Sequence, residues 1–510
     1  MGKCHVLLLI IDAARADRFS CYGYERETTP NVDAFAREGT VFLRNYTAGN
    51  QTLSSHIALF TGIHPYFTGC GGNHAVYDGR YRTIAEILQR HGYRTVGISN
   101  NAILCKQRGA TRGFKEYRKL WVDEGSKGKS AWKSEVYKYL RAFIKGENPV
   151  ARGLKEICFF VHGLIQQERC LRDDKGGRKI VSIIKNEFDA AKKEGKPLFV
   201  FANISDVHGP FLPPAGFRNL YFSGRVPFSV AKYWYTPHDF WMNLHSLSER
   251  NRYILNALYD GGVAYVDYLL GDLFAYLREE GYLDDTLVIV TSDHGEILGE
   301  HQIIAHGTST YEELVRVPLI IRYPRRFECN RTDDKLTQLV DIFPTILNTV
   351  GIGHEMYGFR YQGKDLGHES FRSVENRFLV VDGPYITNPE RLRKYPGLLE
   401  KYNHVERSVI TDEYKYTWST SGSHRLYRIR EDPKEEHNLY SDKCASVIDE
   451  LHTKLINWYK MQLKDGERFD PYEYNFKEVW WDRWLEAGAE DIKGENGALE
   501  RKLRELGYLD

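Results

Sequence analysis

The sequence predicts an α/β protein in which a large, mostly parallel central sheet is flanked by helices, with a smaller C-terminal α+β subdomain. Short apolar runs alternate with amphipathic stretches along the chain, a pattern typical of parallel strands joined by helices. Polar residues follow most of the apolar runs directly, as they do where a ligand binds outside the carboxyl ends of the strands. A chain of 510 residues is long enough for one large domain and a smaller one.

The predicted strands are apolar runs of a length typical of buried strands. In chain order they are Val6–Ile11, Tyr93–Ile98, Leu198–Ile204, Thr286–Thr291 and Val317–Ile321, followed by Phe378–Val381 and Tyr414–Trp418 in the smaller subdomain. The predicted helices are bounded by capping and stop residues. They are Asn31–Glu38 before Gly39, Thr83–Arg90 between the cap Thr83 and Gly92, and Lys179–Glu194.

We predict three regions along the chain. Residues 1–375 form the main domain, 376–465 the smaller subdomain, and 466–510 a helical, Trp-rich tail that ends in a charged helix over Gly497–Leu506. Within the main domain, residues 122–178 are rich in Lys and Arg and helical in pattern. This excursion is either a helical cap over the functional site or a solvated helical segment packed on the core.

Composition argues against several classes of protein. Lys plus Arg is 70 and Asp plus Glu is 69, a balance that gives no support to nucleic-acid binding through a basic face or to a disordered chain. The apolar run Val6–Ile11 is too short for a signal peptide or a membrane span, so we expect no membrane association. Eight cysteines without CxxC pairs favour reduced thiols and a cytoplasmic location. A mature exported form is the alternative.

Residue types that bind metals follow three of the predicted strands. Asp12 comes directly after the first, Asp206 and His208 follow the third, and Asp293 and His294 follow the fourth. Asp and His together are unfavourable in a core without a partner. Oxygen and imidazole donors together suit zinc or manganese better than calcium or magnesium. For Asp12 alone, a helix cap is the alternative.

The segment Asn50–Gly62 places hydroxyl groups and His56 at the start of a short helix that glycine closes. Thr52 would lie at the helix start, where free backbone amides and the helix dipole favour an anionic ligand. A hydroxyl held there beside a metal can lose its proton and act as a nucleophile. The alternative is that Thr52 or Ser54 only caps the helix.

These segments resemble, over almost the whole chain, the motifs of the sulfatase-like branch of the alkaline phosphatase superfamily. The matching motifs occur in the order of that family: Asp12 with Arg15-Ala16-Asp17 and Cys21-Tyr22-Gly23-Tyr24, then Thr28–Asp33, Leu59–Gly62, Thr291–Glu296, Tyr311–Glu313 with Arg316–Pro318, Asp341–Thr345, and Leu426-Tyr427 with Asp432-Pro433 and Asn438-Leu439. The resemblance implies the α/β sandwich of that superfamily and a metal-dependent ester hydrolase.

Several positions depart from the sulfatase pattern. Sulfatases carry Cys-x-Pro-x-Arg, in which the Cys, or a Ser in its place, is oxidised to formylglycine. Counting back from Gly62 puts Thr52 at the first position, Ser54 at the Pro and His56 at the Arg. Thr cannot be converted to the aldehyde by that route, so we expect no formylglycine. Ala13 stands where the family has the second Asp of a pair.

Superfamily members that use an unmodified Thr or Ser act on phosphate esters, and their metal sites can be carried over to this sequence. The resemblance implies one divalent ion held by Asp12, Thr52, Asp293 and His294, and a second held by Asp206, His208 and His306. The spacing Asp206-x-His208 is shorter than is usual for the second site. A one-metal site in which His208 and His306 contact the substrate is therefore the alternative.

Other polar residues are candidates for contacts to the substrate anion. The two sulfate-contacting lysines of the family are missing near Asn100 and Asn101 and near His306, so either Asn would donate to a phosphoryl oxygen instead. His56 either replaces the family's Arg as a catalytic contact to the anion or bonds to the backbone at the helix start. His301 contacts the substrate or supports a ligand, or it is simply exposed.

We therefore expect a cytoplasmic hydrolase of phosphate mono- or diesters that uses one or two divalent metal ions and a covalent intermediate on Thr52. Its substrate is a small anionic ester, with no nucleic-acid or membrane partner. The alternatives are sulfate-ester hydrolysis without formylglycine, phosphoryl transfer to an acceptor other than water, and a non-catalytic binding protein. The retained Asp12, Thr52, Asp293 and His294 argue against the last. The Trp-rich tail suits a subunit contact, which leaves a homo-oligomer open.

Overall fold

The main sheet has eight strands in the computed structural model, which describes residues 4–71, 75–120, 174–227, 230, 248–353, 361–383 and 404–463. The strands are β1 (His5–Ile11), β2 (Thr40–Tyr46), β3 (Arg94–Ser99), β4 (Glu116–Lys119), β5 (Leu198–Ile204), β6 (Thr286–Thr291), β9 (Leu319–Arg322) and β10 (Arg331–Gln338). A hairpin of β7 (Ile297–Leu298) and β8 (Ile304–Ala305) lies between β6 and β9 in sequence. The spatial order of the eight strands is β10-β2-β9-β6-β1-β5-β3-β4.

This sheet is parallel except for β9, which runs antiparallel to both of its neighbours, β2 and β6. In the centre, β1 pairs in parallel with β5 on one side and with β6 on the other. The carboxyl ends of β1, β5, β6 and β3 therefore open at one edge of the sheet, where ligands bind in open α/β folds.

Helices cover both faces of the main sheet. The helices of this part of the chain are α1 (Pro30–Ala36), α2 (Thr52–Thr61), α3 (Pro65–Thr68), α4 (Ile84–Arg90), α5 (Gly177–Glu194), α6 (Ala215–Arg218), α7 (Glu249–Glu279), α8 (Glu312–Val315), α9 (Ile342–Thr349) and α10 (Glu369–Arg372). Side chains of β1 alternate between the two faces, as the two-residue period of a strand requires. Leu7 and Leu9 pack with α1, α5 and α7, whereas Leu8 and Ile10 pack with α2, α4 and α9.

A second, antiparallel sheet follows the main one. Its strands, in spatial order, are β11 (Leu379–Gly383), β12 (Glu406–Ile410), β13 (Tyr414–Ser419) and β14 (Arg425–Arg428), and helix α11 (Ala445–Gln462) packs on it. The shared core includes Val409, Tyr416, Leu455 and Tyr459. Asp382 in β11 forms a bridge to Gly49, just before α2, so the small sheet contacts the loop that leads to Thr52.

The predicted fold class is confirmed, with the large sheet and its flanking helices in place. The proposed region boundaries stay predictions, and most of the 122–178 excursion and the whole tail lie outside the described residues. No described helix has both the length and the apolar character needed to cross a membrane. The six described cysteines are free thiols, and Cys158 and Cys170 lie outside the described part.

Candidate active site

The carboxyl ends of β1 and β6 bring three metal-ligating side chains together. Asp12 follows β1 directly, and Asp293 and His294 follow β6. Because the two strands are parallel neighbours, both ends lie at the same edge of the sheet. One donor atom from each side chain lies within 4.8 Å of the other two, and all three side chains are buried.

These side chains fit a divalent metal ion. Asp12 Oδ1 and Asp293 Oδ2 are buried and have no hydrogen-bond partner among the described residues, an arrangement that is costly for a carboxylate unless a cation compensates it. His294 Nδ1 lies 2.8 Å from the Gly295 carbonyl oxygen, so Nδ1 donates and Nε2 presents its lone pair to the cluster. One bound cation would satisfy all three atoms.

Asp12 is held in place by two amides. Its Oδ2 accepts hydrogen bonds from Asn101 Nδ2 at 2.6 Å and from Asn203 Nδ2 at 3.3 Å. Burial alone raises the pKa of Asp12, but the imidazoles of His208 and His294 and the Asn101 amide outweigh burial and lower that pKa overall. The Asp12 carboxylate is therefore held in its charged form.

Asp293 is in the opposite electrostatic situation. Burial raises the pKa of Asp293, and the nearby Asp12 carboxylate raises it further. Its Oδ1 accepts from the backbone amides of Ala13 at 3.2 Å and His294 at 3.0 Å. Two buried carboxylates side by side repel each other, and a divalent cation between them would remove that repulsion.

Thr52 is the first residue of α2 and is fully buried. Its Oγ1 lies 3.2 Å from His294 Nε2, next to the cluster. The side chain of Gln51, which precedes the helix, bonds to the Gly307 carbonyl oxygen at 3.4 Å instead of capping α2. The positive end of the α2 dipole therefore lies beside the Thr52 hydroxyl, which favours an anion there.

The two serines that follow Thr52 are engaged elsewhere. Ser54 Oγ donates to the Gln51 carbonyl oxygen at 2.9 Å, and Ser55 Oγ donates to the Asp293 carbonyl oxygen at 2.5 Å. Neither hydroxyl forms a hydrogen bond to His294. Of the three candidate hydroxyls at the start of α2, the Thr52 hydroxyl is the one that contacts the cluster.

His56 lies one turn into α2 and is buried. Its Nδ1 is 2.7 Å from the Thr52 carbonyl oxygen and 3.6 Å from Asp293 Oδ2. Its ring packs edge-on against Phe60 and Phe201. Of the two alternatives for His56, the structure shows the one with a backbone hydrogen bond at the helix start, so its predicted contact with the substrate stays a prediction.

Three imidazoles form one wall beside the cluster, and we call them the histidine wall: His208, His294 and His306. The ring centres of His294 and His306 are 4.4 Å apart, and those of His208 and His306 are 4.9 Å apart. His208 Nδ1 lies 2.8 Å from the Gly209 carbonyl oxygen, and its Nε2 is buried without a hydrogen-bond partner. Burial lowers the pKa of both His208 and His306. His208 and His306 are therefore neutral imidazoles. Burial alone lowers the pKa of His294, but the Asp293 and Asp12 carboxylates outweigh burial and raise that pKa overall.

Asp206, predicted to share a second metal site with His208 and His306, does not join them in the structure. Its Oδ1 accepts from the Lys175 amide at 2.9 Å, and its Oδ2 accepts from Asn100 Nδ2 at 3.4 Å. The carboxylate thus ties the end of β5 to the start of α5. Although only one residue separates them, Asp206 and His208 bond to different partners.

The amides of Asn100 and Asn101, predicted to contact the substrate, are bonded to protein groups. Asn100 donates to the Lys175 carbonyl oxygen at 3.0 Å and accepts from the Ser205 amide at 2.9 Å. Asn101 donates to Asp12 and accepts from the Ile103 amide at 2.9 Å. In this arrangement Asn101 supports a metal-site carboxylate, whereas Asn100 supports the loop after β5.

His301 lies in a different group of side chains. Its ring stacks on Tyr311 with ring centres 3.7 Å apart, and its Nε2 is 3.3 Å from Glu313 Oε2. Glu435 completes this group, and its Oε1 forms an ion pair with Lys415 Nζ at 3.0 Å. The structure therefore does not bring His301 to Thr52 or to the histidine wall.

Two side chains of the site were not predicted from the sequence. Asn203, which donates to Asp12, lies inside β5, and the signal for it was an amide in an otherwise apolar strand. Glu296 lies 3.1 Å from His306 Nδ1 and is buried, and burial raises its pKa to about 7. The sequence signal for Glu296 was its position at the end of the motif Thr291–Glu296, and the structure adds the short hairpin that brings it opposite His306.

Comparisons with known proteins identify the family of the chain. A sequence model of the sulfatase family matches residues 5–352. An arylsulfatase of Clostridium perfringens is 25% identical over 489 residues, which cover 89% of this chain and 94% of that protein. The multifunctional alkaline phosphatase superfamily protein PehA of Trinickia caryophylli is 25% identical over 511 residues, covering 90% of this chain and 95% of that protein.

The fold is also similar to that of solved structures. A phosphonate monoester hydrolase of Agrobacterium radiobacter superposes with a TM-score of 0.66 at 22% identity, covering 90% of this chain and 96% of the other. The family match includes Asp12, Thr52, Asp293 and His294. The chain therefore belongs to the sulfatase family and is a hydrolase of the alkaline phosphatase superfamily.

Proposed function

We propose that the protein hydrolyses phosphate esters with the Thr52 hydroxyl as the nucleophile. The observation that carries the proposal is the position of Thr52 Oγ1, which lies 3.2 Å from His294 Nε2 at the start of α2. A zinc or manganese ion held by Asp12, Asp293 and His294 would supply the positive charge that favours loss of the hydroxyl proton and offsets the charge of the ester.

In the proposed reaction, Thr52, the start of α2 and the histidines have separate roles. Thr52 Oγ attacks phosphorus, so that the Oγ–P bond forms and one ester P–O bond breaks. The positive end of the α2 dipole favours the negative charge of the phosphoryl oxygens. Water then attacks the phosphorus, the Oγ–P bond breaks, and Thr52 is regenerated. Because Asp206 lies outside the cluster, we propose one metal ion, with His208 and His306 contacting the ester.

Threonine chemistry supports this assignment over the usual sulfatase route. The formylglycine aldehyde forms by oxidation of an unbranched Cys or Ser side chain. Thr52 carries an additional methyl group, and its hydroxyl lies at the cluster. Ser54 and Ser55 make hydrogen bonds to backbone carbonyl groups. An unmodified hydroxyl at position 52 is then the group best placed to attack.

The charge of the site favours a singly charged ester. Among the residues that the structure describes, the ion-pair partners of Asp12 and Asp293 are imidazoles, with no Lys or Arg. A divalent ion with two carboxylates and neutral imidazoles is close to neutral, so little positive charge is left for a dianion. We therefore propose that phosphodiesters and other monoanionic esters are better substrates than phosphate monoesters.

Sulfate-ester hydrolysis is the second candidate. A sulfate ester is also a monoanion, and the arylsulfatase of Clostridium perfringens aligns over 89% of this chain. The same geometry of Thr52 and its cluster would then form a sulfated rather than a phosphorylated threonine. The charge argument does not separate these two candidates, so the substrate must be tested directly.

The test compares three esters on the purified full-length protein with added zinc or manganese. The substrates are bis-p-nitrophenyl phosphate, p-nitrophenyl phosphate and p-nitrophenyl sulfate. Wild type is compared with Thr52→Ala and with Thr61→Ala, a matched control whose hydroxyl bonds within α2 to the Ile57 carbonyl oxygen at 2.7 Å. We expect the diester to be the best substrate, and we expect Thr52→Ala to lower kcat at least 1,000-fold, on the order of a lost nucleophile.

The outcomes separate the candidates. Diester turnover that is lost in Thr52→Ala and kept in Thr61→Ala supports the proposal. Dominant sulfate turnover supports the second candidate instead. Activity that survives Thr52→Ala contradicts both, because each requires this hydroxyl.

A further inference from the structure

The hairpin of β7 and β8 places Glu296 directly opposite His306. In the hairpin, Ile297 pairs with Ala305 and Leu298 pairs with Ile304. Extending this antiparallel register by one residue pairs Glu296 with His306. Side chains opposite each other in a ladder lie on the same face and within contact distance.

The side chains of this pair are joined by a hydrogen bond. His306 Nδ1 lies 3.1 Å from Glu296 Oε1 and 3.3 Å from Oε2. Glu296 is 1% exposed and His306 is 6% exposed. When the Glu296 carboxylate is ionised, as it is at mildly alkaline pH, it can only accept, so Nδ1 carries the proton and Nε2, on the other side of the ring, carries the lone pair.

The backbone of Glu296 is fixed independently of His306. Arg15 Nη1 donates to the Glu296 carbonyl oxygen at 3.1 Å, and the same guanidinium is bonded to Asp17 and Glu300. Glu296 is therefore a rigid support for the ring that it contacts. The ring is additionally stacked on His294, at an angle of 27° between the two planes.

His306 differs from its neighbours in the histidine wall by the hydrogen-bond partner of its Nδ1. Nδ1 of His208 and Nδ1 of His294 each lie 2.8 Å from a backbone carbonyl oxygen, of Gly209 and Gly295. His306 alone has a carboxylate at Nδ1 among these three. A carboxylate orients an imidazole more strongly than a carbonyl group does, because the hydrogen bond is charge-assisted.

We propose that Glu296 is a positioning residue for the reaction: its carboxylate fixes the ring and the Nδ1–H tautomer of His306, so that Nε2 is presented to the ester bound at Thr52. The identity of the ester in this proposal rests on the proposed function, whereas the geometry of the Glu296–His306 pair does not. The proposal predicts that Glu296 affects substrate turnover only through His306.

A double-mutant cycle tests that dependence on the diester or sulfate substrate that the wild type turns over. We expect Glu296→Ala to lower kcat/KM by about 10- to 100-fold, as is usual for residues that orient a ligand or catalytic imidazole. In the His306→Ala background, Glu296→Ala should have no further effect. Glu296→Gln, whose amide oxygen still accepts from Nδ1, should recover most of the activity lost in Glu296→Ala. Effects of Glu296→Ala and His306→Ala that multiply would overturn the proposal.

Nitrogen-15 spectra of the histidine side chains provide a readout that needs no turnover. The zinc-loaded full chain is measured at mildly alkaline pH, and the His306 signals are assigned by their loss in His306→Asn. We expect the Nδ1–H form in wild type and Glu300→Gln, a control that removes a charge from the same hairpin. We expect the Nδ1–H form to be lost in Glu296→Ala.

These readouts separate the positioning proposal from the proposed function. If Glu296→Ala keeps the Nδ1–H form, the positioning proposal is wrong whatever the substrate. If the tautomer changes as expected but none of the three esters is hydrolysed, the positioning stands and the proposed function fails.

Discussion

Asp12 and Asp293 place two carboxylates side by side in a buried site, each with one oxygen that has no hydrogen-bond partner. In a protein interior such atoms are stabilised by a cation, by protonation or by a hydrogen bond. Burial and the Asp12 carboxylate raise the pKa of Asp293, which favours its protonated form when no metal is bound. Metal binding and stability are therefore linked at this pair.

Asp293→Asn tests that link. Adding zinc or manganese should raise the melting temperature of wild type, by an amount equivalent to about 2.7 kcal/mol at a metal concentration 100 times Kd. In Asp293→Asn the metal-induced shift should be small, while the metal-free protein should be at least as stable as wild type because the repulsion with Asp12 is gone.

Asp267→Asn is the matched control for this measurement. Asp267 in α7 is buried, accepts from the Val32 amide of α1 at 2.8 Å, and is not part of the metal-site cluster. This variant should lose stability but keep the metal-induced shift. An equal shift in Asp293→Asn and wild type would show that Asp293 is not a ligand.

Residue patterns predicted that Asp12, Asp293 and His294 lie close together, and the structure brings them together. They follow parallel neighbouring strands, whose carboxyl ends meet at one edge of the sheet. Thr52 contacts His294 from the start of α2 and not from the end of a strand. Asp206 follows a strand in the same way, yet its carboxylate bonds to Lys175 and Asn100. Sequence spacing places a residue at the edge of the sheet, but the direction of its side chain depends on neighbours that are distant in sequence.

At the scale of elements, the long helix α7 shows what sequence patterns could not predict. It contains adjacent glycines, Gly261 and Gly262, which disfavour a helix by about 1 kcal/mol each relative to Ala. The packing explains them. A Cβ at Gly261 would lie 2.4 Å from the Phe217 carbonyl oxygen, so only glycine allows this contact. Tertiary packing thus overrides the local preference.

The contact between the end of β5 and the start of α5 predicts a pH dependence of stability. Burial raises the pKa of Asp206 to about 6 from 3.8, with Asp174 adding to the effect. Between those values the unfolded chain has released the proton that the folded protein retains, so the free energy of unfolding falls as pH rises, by roughly 3 kcal/mol at most.

Asp206→Asn should reduce this dependence by the contribution of Asp206, because an amide does not titrate. Chemical denaturation across the range from pH 3.8 to about 6 measures it. Asp272→Asn, on the exposed surface next to Lys185, should keep the wild-type slope. A slope in Asp206→Asn equal to that of wild type would contradict the account of this contact.

At the scale of the whole molecule, a buried ion cluster joins the small sheet to α8, the helix that precedes β9 of the main sheet. Lys415 in β13 is fully buried and lies 3.0 Å from Glu312 Oε1 in α8 and 3.0 Å from Glu435 Oε1. The Glu312 amide in turn donates to Glu435 at 2.7 Å. The short apolar strands predicted both sheets, but no local pattern predicted this long-range cluster.

Lys415→Met should destabilise the protein by about 3–5 kcal/mol, because it leaves two buried carboxylates without their cation. Lys454→Met is the control, since Lys454 pairs with Glu450 on the surface of α11 and such pairs contribute about 0.3–0.5 kcal/mol. Urea denaturation compares the two variants. Equal losses of stability would show that the Lys415 cluster does not hold the small sheet to α8.

The measurement that tests the central claim most directly is the mass of the peptide that contains Thr52 after acid quenching of the metal-loaded protein during turnover. With bis-p-nitrophenyl phosphate, attack by the Thr52 hydroxyl releases one p-nitrophenolate and leaves a p-nitrophenyl phosphoryl group on the threonine. We expect this adduct on Thr52 within the segment Asn50–Gly62. Turnover with an unmodified Thr52, or with the adduct on another residue, would contradict the account.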